Sequence, residues 1–101
     1  MELIPNELRA LIPQPYATES EPDPMVWVKL FTPWSDWTWY VLEMDSEGTC
    51  FGLVCGFEDE LGYFSLKELE EVRGPGGVTI ERDLYFEPVR LSELRTLCKR
   101  D

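Results

Sequence analysis

The chain contains no histidine, which removes the commonest metal ligand and the usual general base near neutral pH. It is also poor in positive charge. Nine Lys and Arg stand against 20 Asp and Glu, a formal net charge of −11. Lys29 is the only basic residue between positions 10 and 66. A surface this negative repels nucleic acid and anionic membranes at long range and attracts basic surfaces. The three cysteines, Cys50, Cys55 and Cys98, form no CxxC pair, and their odd number argues against a disulfide scaffold and for reduced cytoplasmic thiols. Cys50 and Cys55 lie five apart in an extended run, so they point to opposite faces and cannot jointly hold a metal. Without a histidine partner neither is a persuasive nucleophile. No apolar run reaches the roughly 18 residues of a membrane-spanning helix. The start, Met1 to Pro5, has neither the basic segment nor the apolar stretch of a secretory signal.

What is present is ample apolar material. Hydrophobic residues make up 44% and aromatic residues 13% of 101 positions, which suits one packed core and a single domain over 1–101. Residues 5–12 read as a short helix, with Pro5 in its first turn and an apolar stripe of Leu8, Leu11 and Ile12. Pro13 and Pro15 stop it, and residues 13–24 form a Pro-rich extended connector between the first helix and the sheet. Branched and aromatic residues at 25–32, 37–44 and 50–57 predict three strands. Short turns join them, as in an antiparallel meander. Gly52 and Gly56 share a strand face and leave room there for a helix. Residues 58–62 read as an acidic turn, with a short strand at Tyr63 and Phe64. Ser65 with Glu68 is a capping box opening a helix to about Val72. The run Gly74 to Gly77 ends that helix, and Pro88 separates a fourth strand at 78–87, open to a split near Arg82-Asp83, from a last helix at 91–98. That helix carries Leu91, Leu94, Leu97 and Cys98, with Lys99 and Arg100 at its negative end. The expected fold class is α+β: an antiparallel three-to-four-stranded sheet with helices packed on one face.

The densest aromatic stretch is Phe31 to Tyr40. Alternation divides its side chains between both faces of a strand, so they do not all pack under one helical layer. Trp37 and Trp39 are assigned to the core. Trp34, in a turn beside Asp36, is expected at the surface as a binding anchor. The acidic clusters are Glu58-Asp59-Glu60, Glu68-Glu70-Glu71 and Glu81-Asp83-Glu87. None has the spacing of a calcium loop, so each reads as solvated charge. Arg82, between Glu81 and Asp83, is expected to make local ion pairs. Gly74-Pro-Gly-Gly lacks the lysine and the following helix of a phosphate-binding loop and reads as a turn.

Three blocks carry a family resemblance: Phe31-Thr-Pro-x-x-x-Trp37-Thr-Trp39-Tyr40, Phe51-Gly-Leu-Val-x-Gly-x-Glu-x-Glu60-Leu-Gly-Tyr63-Phe-Ser65-Leu-x-Glu68-Leu, and Arg73-Gly-x-x-Gly-x-x-Ile80-Glu-Arg82-Asp-Leu-Tyr85-Phe86. Together they resemble the small bacterial proteins grouped as domain of unknown function 2958, over about residues 5–96. The resemblance supplies no activity and no catalytic residues. It implies a bacterial cytoplasmic setting and an accessory role on mobile DNA, where small acidic proteins often inhibit host defence.

These observations favour a non-enzymatic, cytoplasmic binding domain, a monomer or small homo-oligomer, whose partner is a protein with a basic surface. Its binding residues would be Trp34, Asp36, Glu58, Asp59 and Glu60, with no catalytic residues, no metal and no cofactor. An inhibitor of a restriction, CRISPR or other nucleic-acid-handling protein is the concrete form. One alternative is a small metal-dependent enzyme built on the Glu58–Glu60 and Glu81–Asp83 carboxylates. Another is a single-stranded nucleic-acid or nucleotide binder through exposed tryptophans, against which the missing basic groove argues.

Overall fold

The computed structural model describes residues 3–98. Short helix α1 (Asn6–Arg9) leads through the connector to strands β1 (Met25–Val26), β2 (Val28–Phe31), β3 (Thr38–Met44), β4 (Thr49–Cys55) and β5 (Asp59–Ser65). Helix α2 (Leu66–Glu71), a 3-10 turn at Pro75–Gly77, β6 (Glu81–Arg82), β7 (Val89–Arg90) and helix α3 (Leu91–Cys98) complete the order. Lys99 and Arg100, expected at the end of the last helix, lie outside the described residues.

The α+β class stands, but the sheet is larger than the sequence suggests. Five antiparallel strands follow in the order β5-β4-β3-β2-β6, and β1 pairs with β7 in a separate two-stranded ladder. The run at 25–32 breaks at Trp27, whose N–H donates to Val41 O at 3.0 Å. This hands Met25 and Val26 to β7 and leaves Val28–Phe31 with β3 and β6. The acidic turn expected at 58–62 is mostly strand: β5 pairs with β4 without interruption from Asp59 to Ser65.

Helices cover both faces, not one. On one face Leu3, Ile4 and Ile12 from the N-terminal segment and Leu66 and Leu69 from α2 enclose Val28, Leu30, Val41 and Cys50. On the other, Leu91 and Leu94 of α3 pack on Tyr40, Leu42 and Leu53. Each fully buried Leu, Ile or Val contributes roughly 1.5–3 kcal/mol, so two full layers suit a domain this small. Alternation along β2 and β3 sorts these residues between the layers. A register shift between Val41 and Glu43 puts Leu42 and Glu43 on the same face.

That bulge also explains Gly52. A Cβ there would lie 1.8 Å from the Tyr40 carbonyl oxygen. The bare position therefore accommodates the bulged backbone of β3 and not an approaching helix. The capping box is present in half: Ser65 Oγ accepts the Glu68 N–H at 3.2 Å. Arg82 makes no local ion pair among the described residues. Its Nε donates to Leu3 O at 2.9 Å, while Asp83 meets Lys29 at 3.7 Å. Leu3 N–H in turn donates to Glu70 at 2.9 Å, so the N-terminal segment is clasped from two elements.

Candidate functional site

Two turns meet at one end of the five-stranded sheet, because Thr38 opens β3 opposite Cys55, and Cys55 lies opposite Asp59. The first turn, residues 33–36, is closed by Thr32. Its N–H donates to Trp37 O at 3.0 Å, and its hydroxyl accepts the Trp37 N–H at 3.2 Å. Asp36 projects from the tip and is exposed. Trp34 does not join it at the surface. The Trp34 ring is half-buried against the α2 side of the core and lies over Gly74, where a Cβ would come within 2.4 Å of it. The glycine run beyond α2 thus seats a tryptophan, a role that composition alone does not reveal.

The second turn is the tight β4–β5 connection, in which Gly56 N–H donates to Glu58 O at 3.1 Å. Gly56 lies under the Trp37 ring, 2.4 Å from the position of a Cβ. Trp37 stacks on Trp39 with centroids 6.0 Å apart and meets Phe57 edge-on at 5.4 Å. Phe57 is 95% exposed, a large aromatic ring at the apex of the turn. Glu58, Asp59 and Glu60 follow it and are all exposed. Register places Glu60 beside Val54 and Trp39 on one face and Asp59 beside Cys55 and Thr38 on the other. The end of the sheet therefore presents Phe57 and Asp36 with three flanking carboxylates. This arrangement suits a partner that brings both an apolar contact and positive charge.

The Glu81–Asp83 cluster does not join Glu58, Asp59 and Glu60. Glu81 and Asp83 border β6, at the opposite edge of the sheet from β5. Four strand spacings of about 4.8 Å each separate the two edges, which keeps Glu81 and Asp83 away from Glu58, Asp59 and Glu60, whereas Asp83 shares a cleft of about 300 Å³ with Asp36, Lys29 and Trp37. Among the described residues, no group of three or more His, Cys, Asp or Glu is placed to hold a metal ion. Nor is any described helix long and apolar enough to cross a membrane.

Sequence reasoning missed Glu43. It is 5% exposed, and its carboxylate accepts the N–H of Tyr16 at 2.9 Å, the N–H of Thr18 at 3.0 Å and the Thr18 hydroxyl. These bonds pin the connector to β3 and hold Tyr16 in a left-handed backbone conformation at φ 66°. Beside Glu43 opens a cleft of about 450 Å³ bordered by Tyr16, Phe51, Leu61, Tyr63, Glu19 and Glu21. The Tyr63 phenol there is pushed above its ordinary pKa by desolvation, then by Tyr16 and the Glu43 and Glu19 carboxylates. The available signal was an acid set among Val41, Leu42 and Met44 in a run of branched and aromatic residues.

A model of the family described as "Protein of unknown function (DUF2958)" matches residues 3–100, nearly the whole chain. No curated protein and no solved structure matches it.

Proposed function

We propose, from the premise that the chain belongs to the DUF2958 family, that it is a non-enzymatic binding protein whose target is a protein with a basic surface. The observation that carries this reading is the exposed run Phe57-Glu58-Asp59-Glu60 at one end of the sheet, with Asp36 beside it. Phe57 offers a contact a large apolar ring, and charge of one sign around it steers an oppositely charged partner. Basic surfaces of this kind belong above all to proteins that handle nucleic acid. The mobile-element setting implied by the family resemblance suggests that the target is a bacterial defence or nucleic-acid-handling protein, competed from its substrate by negative charge. In this reading Phe57 replaces Trp34 as the aromatic anchor.

The test pairs the wild type with a variant carrying Glu58→Lys, Asp59→Lys and Glu60→Lys. Both are used to capture proteins from bacterial lysate at low and at high salt. The expected result is a basic nucleic-acid-binding protein retained by the wild type at low salt and released at high salt. The variant should associate with it about tenfold or more slowly. Capture of the same protein at an unchanged rate by the variant excludes this end of the sheet as the contact. Phe57→Ala is expected to speed dissociation with only a small loss of thermal stability, because the ring is 95% exposed and its one ring contact among the described residues is edge-on with Trp37.

A further inference from the structure

Two hydrogen bonds reveal which backbone groups of β5 face outward. Leu66 N–H donates to Gly48 O at 2.8 Å, and Gly56 N–H to Glu58 O at 3.1 Å, one at each end of the β4–β5 ladder. In an antiparallel pair, bonded and non-bonded positions alternate. The bonded pairs are therefore Cys50 with Phe64, Gly52 with Gly62 and Val54 with Glu60. Asp59, Leu61 and Tyr63 turn their N–H and C=O groups away from β4.

β5 is the last strand on its side of the sheet, and no described strand pairs with its outer edge. Seven residues long, it has no proline, no lysine and no register shift against β4; its only edge charges are the acids Asp59 and Glu60, which repel acidic strands and admit basic ones. The opposite edge, β6, is only two residues long. Gly62 stands at the centre of β5. A Cβ there would meet nothing within 4 Å, and its φ is not positive, so no steric or backbone demand of the fold calls for glycine. The sheet face over Gly62 is therefore open, and no side chain at the centre of β5 crowds its edge.

The side chains of Leu61 and Tyr63 border the acidic cleft of about 450 Å³, together with Glu19 and Glu21. A strand laid along β5 would direct every second side chain toward that cleft. A lysine or arginine there would meet carboxylates and the Tyr63 ring face.

We propose that β5 accepts an extended basic segment of a partner protein as a sixth strand of the sheet. The backbone groups of Asp59, Leu61 and Tyr63 would supply affinity, and the acidic cleft would select positive side chains. The proposal rests on the reading that the partner is basic and adds how it is held. A second copy of this chain fits the edge less well, since pairing would bring together two molecules each of charge −11.

The probe is a decapeptide of alternating Lys and Val, added to the full chain at low salt while amide hydrogen exchange is followed by NMR. The amides of Asp59, Leu61 and Tyr63 are expected to slow about tenfold or more. Those of Glu60, Gly62 and Phe64, already bonded to β4, should change little. Leu61→Pro removes an N–H that the fold does not use and should abolish peptide binding, whereas Leu61→Ala should weaken it only a few-fold. If the proline variant unfolds, the exchange pattern of the wild type decides alone. Peptide binding that leaves the three amides unprotected would be mere charge attraction and would overturn strand addition, as would absence of binding. Protection without peptide, with a doubled molecular mass, would assign the edge to a second copy and overturn it too. If the charge-reversed variant loses its captured partner while Leu61→Pro keeps it, the partner reading survives and strand addition falls.

Discussion

Asp23 ties the end of the connector to the first turn of α3. One carboxylate oxygen accepts the Ser92 N–H at 2.9 Å, and the other accepts the Ser92 hydroxyl at 2.8 Å. The cap comes from a residue far away in sequence, so it secures the helix and its docking at once. The Ser92 backbone bond, then the Ser92 hydroxyl, hold the Asp23 carboxyl below its ordinary pKa of 3.8. A depressed folded-state pKa means stability that is present above 3.8 and lost as pH falls through and below it. Asp23→Asn should therefore lower the melting temperature at pH 7, with the gap to wild type closing as pH falls toward 3. A gap that stays constant with pH would rule out the linkage. Cys50 illustrates the opposite effect. Burial pushes its thiol up to about 12, and it is fully enclosed in the core. Iodoacetamide at pH 8 should leave Cys50 unmodified in the native protein and alkylate it only in denaturant, as peptide mapping would show.

At the scale of elements, β4 contains a steric contrast that can be measured. Gly52→Ala would drive a methyl group into the Tyr40 carbonyl, backbone that cannot swing aside. The loss should reach the upper end of about 1–3 kcal/mol in urea unfolding. Gly62→Ala, directly across the ladder, enters open space and should be neutral or stabilise by about 0.5 kcal/mol. The meander was legible because β3 and β4 are long and rich in branched and aromatic residues, and α2 because Ser65 and Glu68 sit at capping distance. The edge strand was not, because Glu58-Asp59-Glu60 has the composition of a turn and pairs only through backbone groups. The β1–β7 ladder was hidden for another reason. Two-residue strands carry no periodicity, and what joins them is the arrival of α3 on the second face. In the candidate site, the charge of Glu58, Asp59, Glu60 and Asp36 could be read directly. The burial of Trp34 depended on Gly74, forty positions later, and Glu43 looked like any strand acid until the connector folded over it.

For the whole molecule the charge imbalance is the dominant fact. A net charge of −11 on one small domain repels itself, and the only described ion pair is Lys29 with Asp83. Sodium chloride at about 0.5 M should therefore raise the melting temperature by several degrees, through screening over a Debye length shortened to a few ångströms. No such rise would mean that the acids are spaced widely enough to ignore one another. The fold also mixes near and distant pairings. β3, β4 and β5 follow one another through short turns, whereas β1 waits for β7 near the other end of the chain. Loop closure makes distant pairings slow to form. Folding kinetics of Val26→Ala and Val89→Ala should give φ-values near 0–0.3, against about 0.5–0.8 for Leu53→Ala. A high value at Val26 would reverse that order. The β1–β7 ladder is then the last seam to close. Until it does, α3 has the Asp23–Ser92 bonds but no ladder to hold it, and the greasy side of Tyr40, Leu42 and Leu53 is poorly covered. A folding intermediate in which β7 and α3 have yet to dock is therefore the species most prone to aggregate.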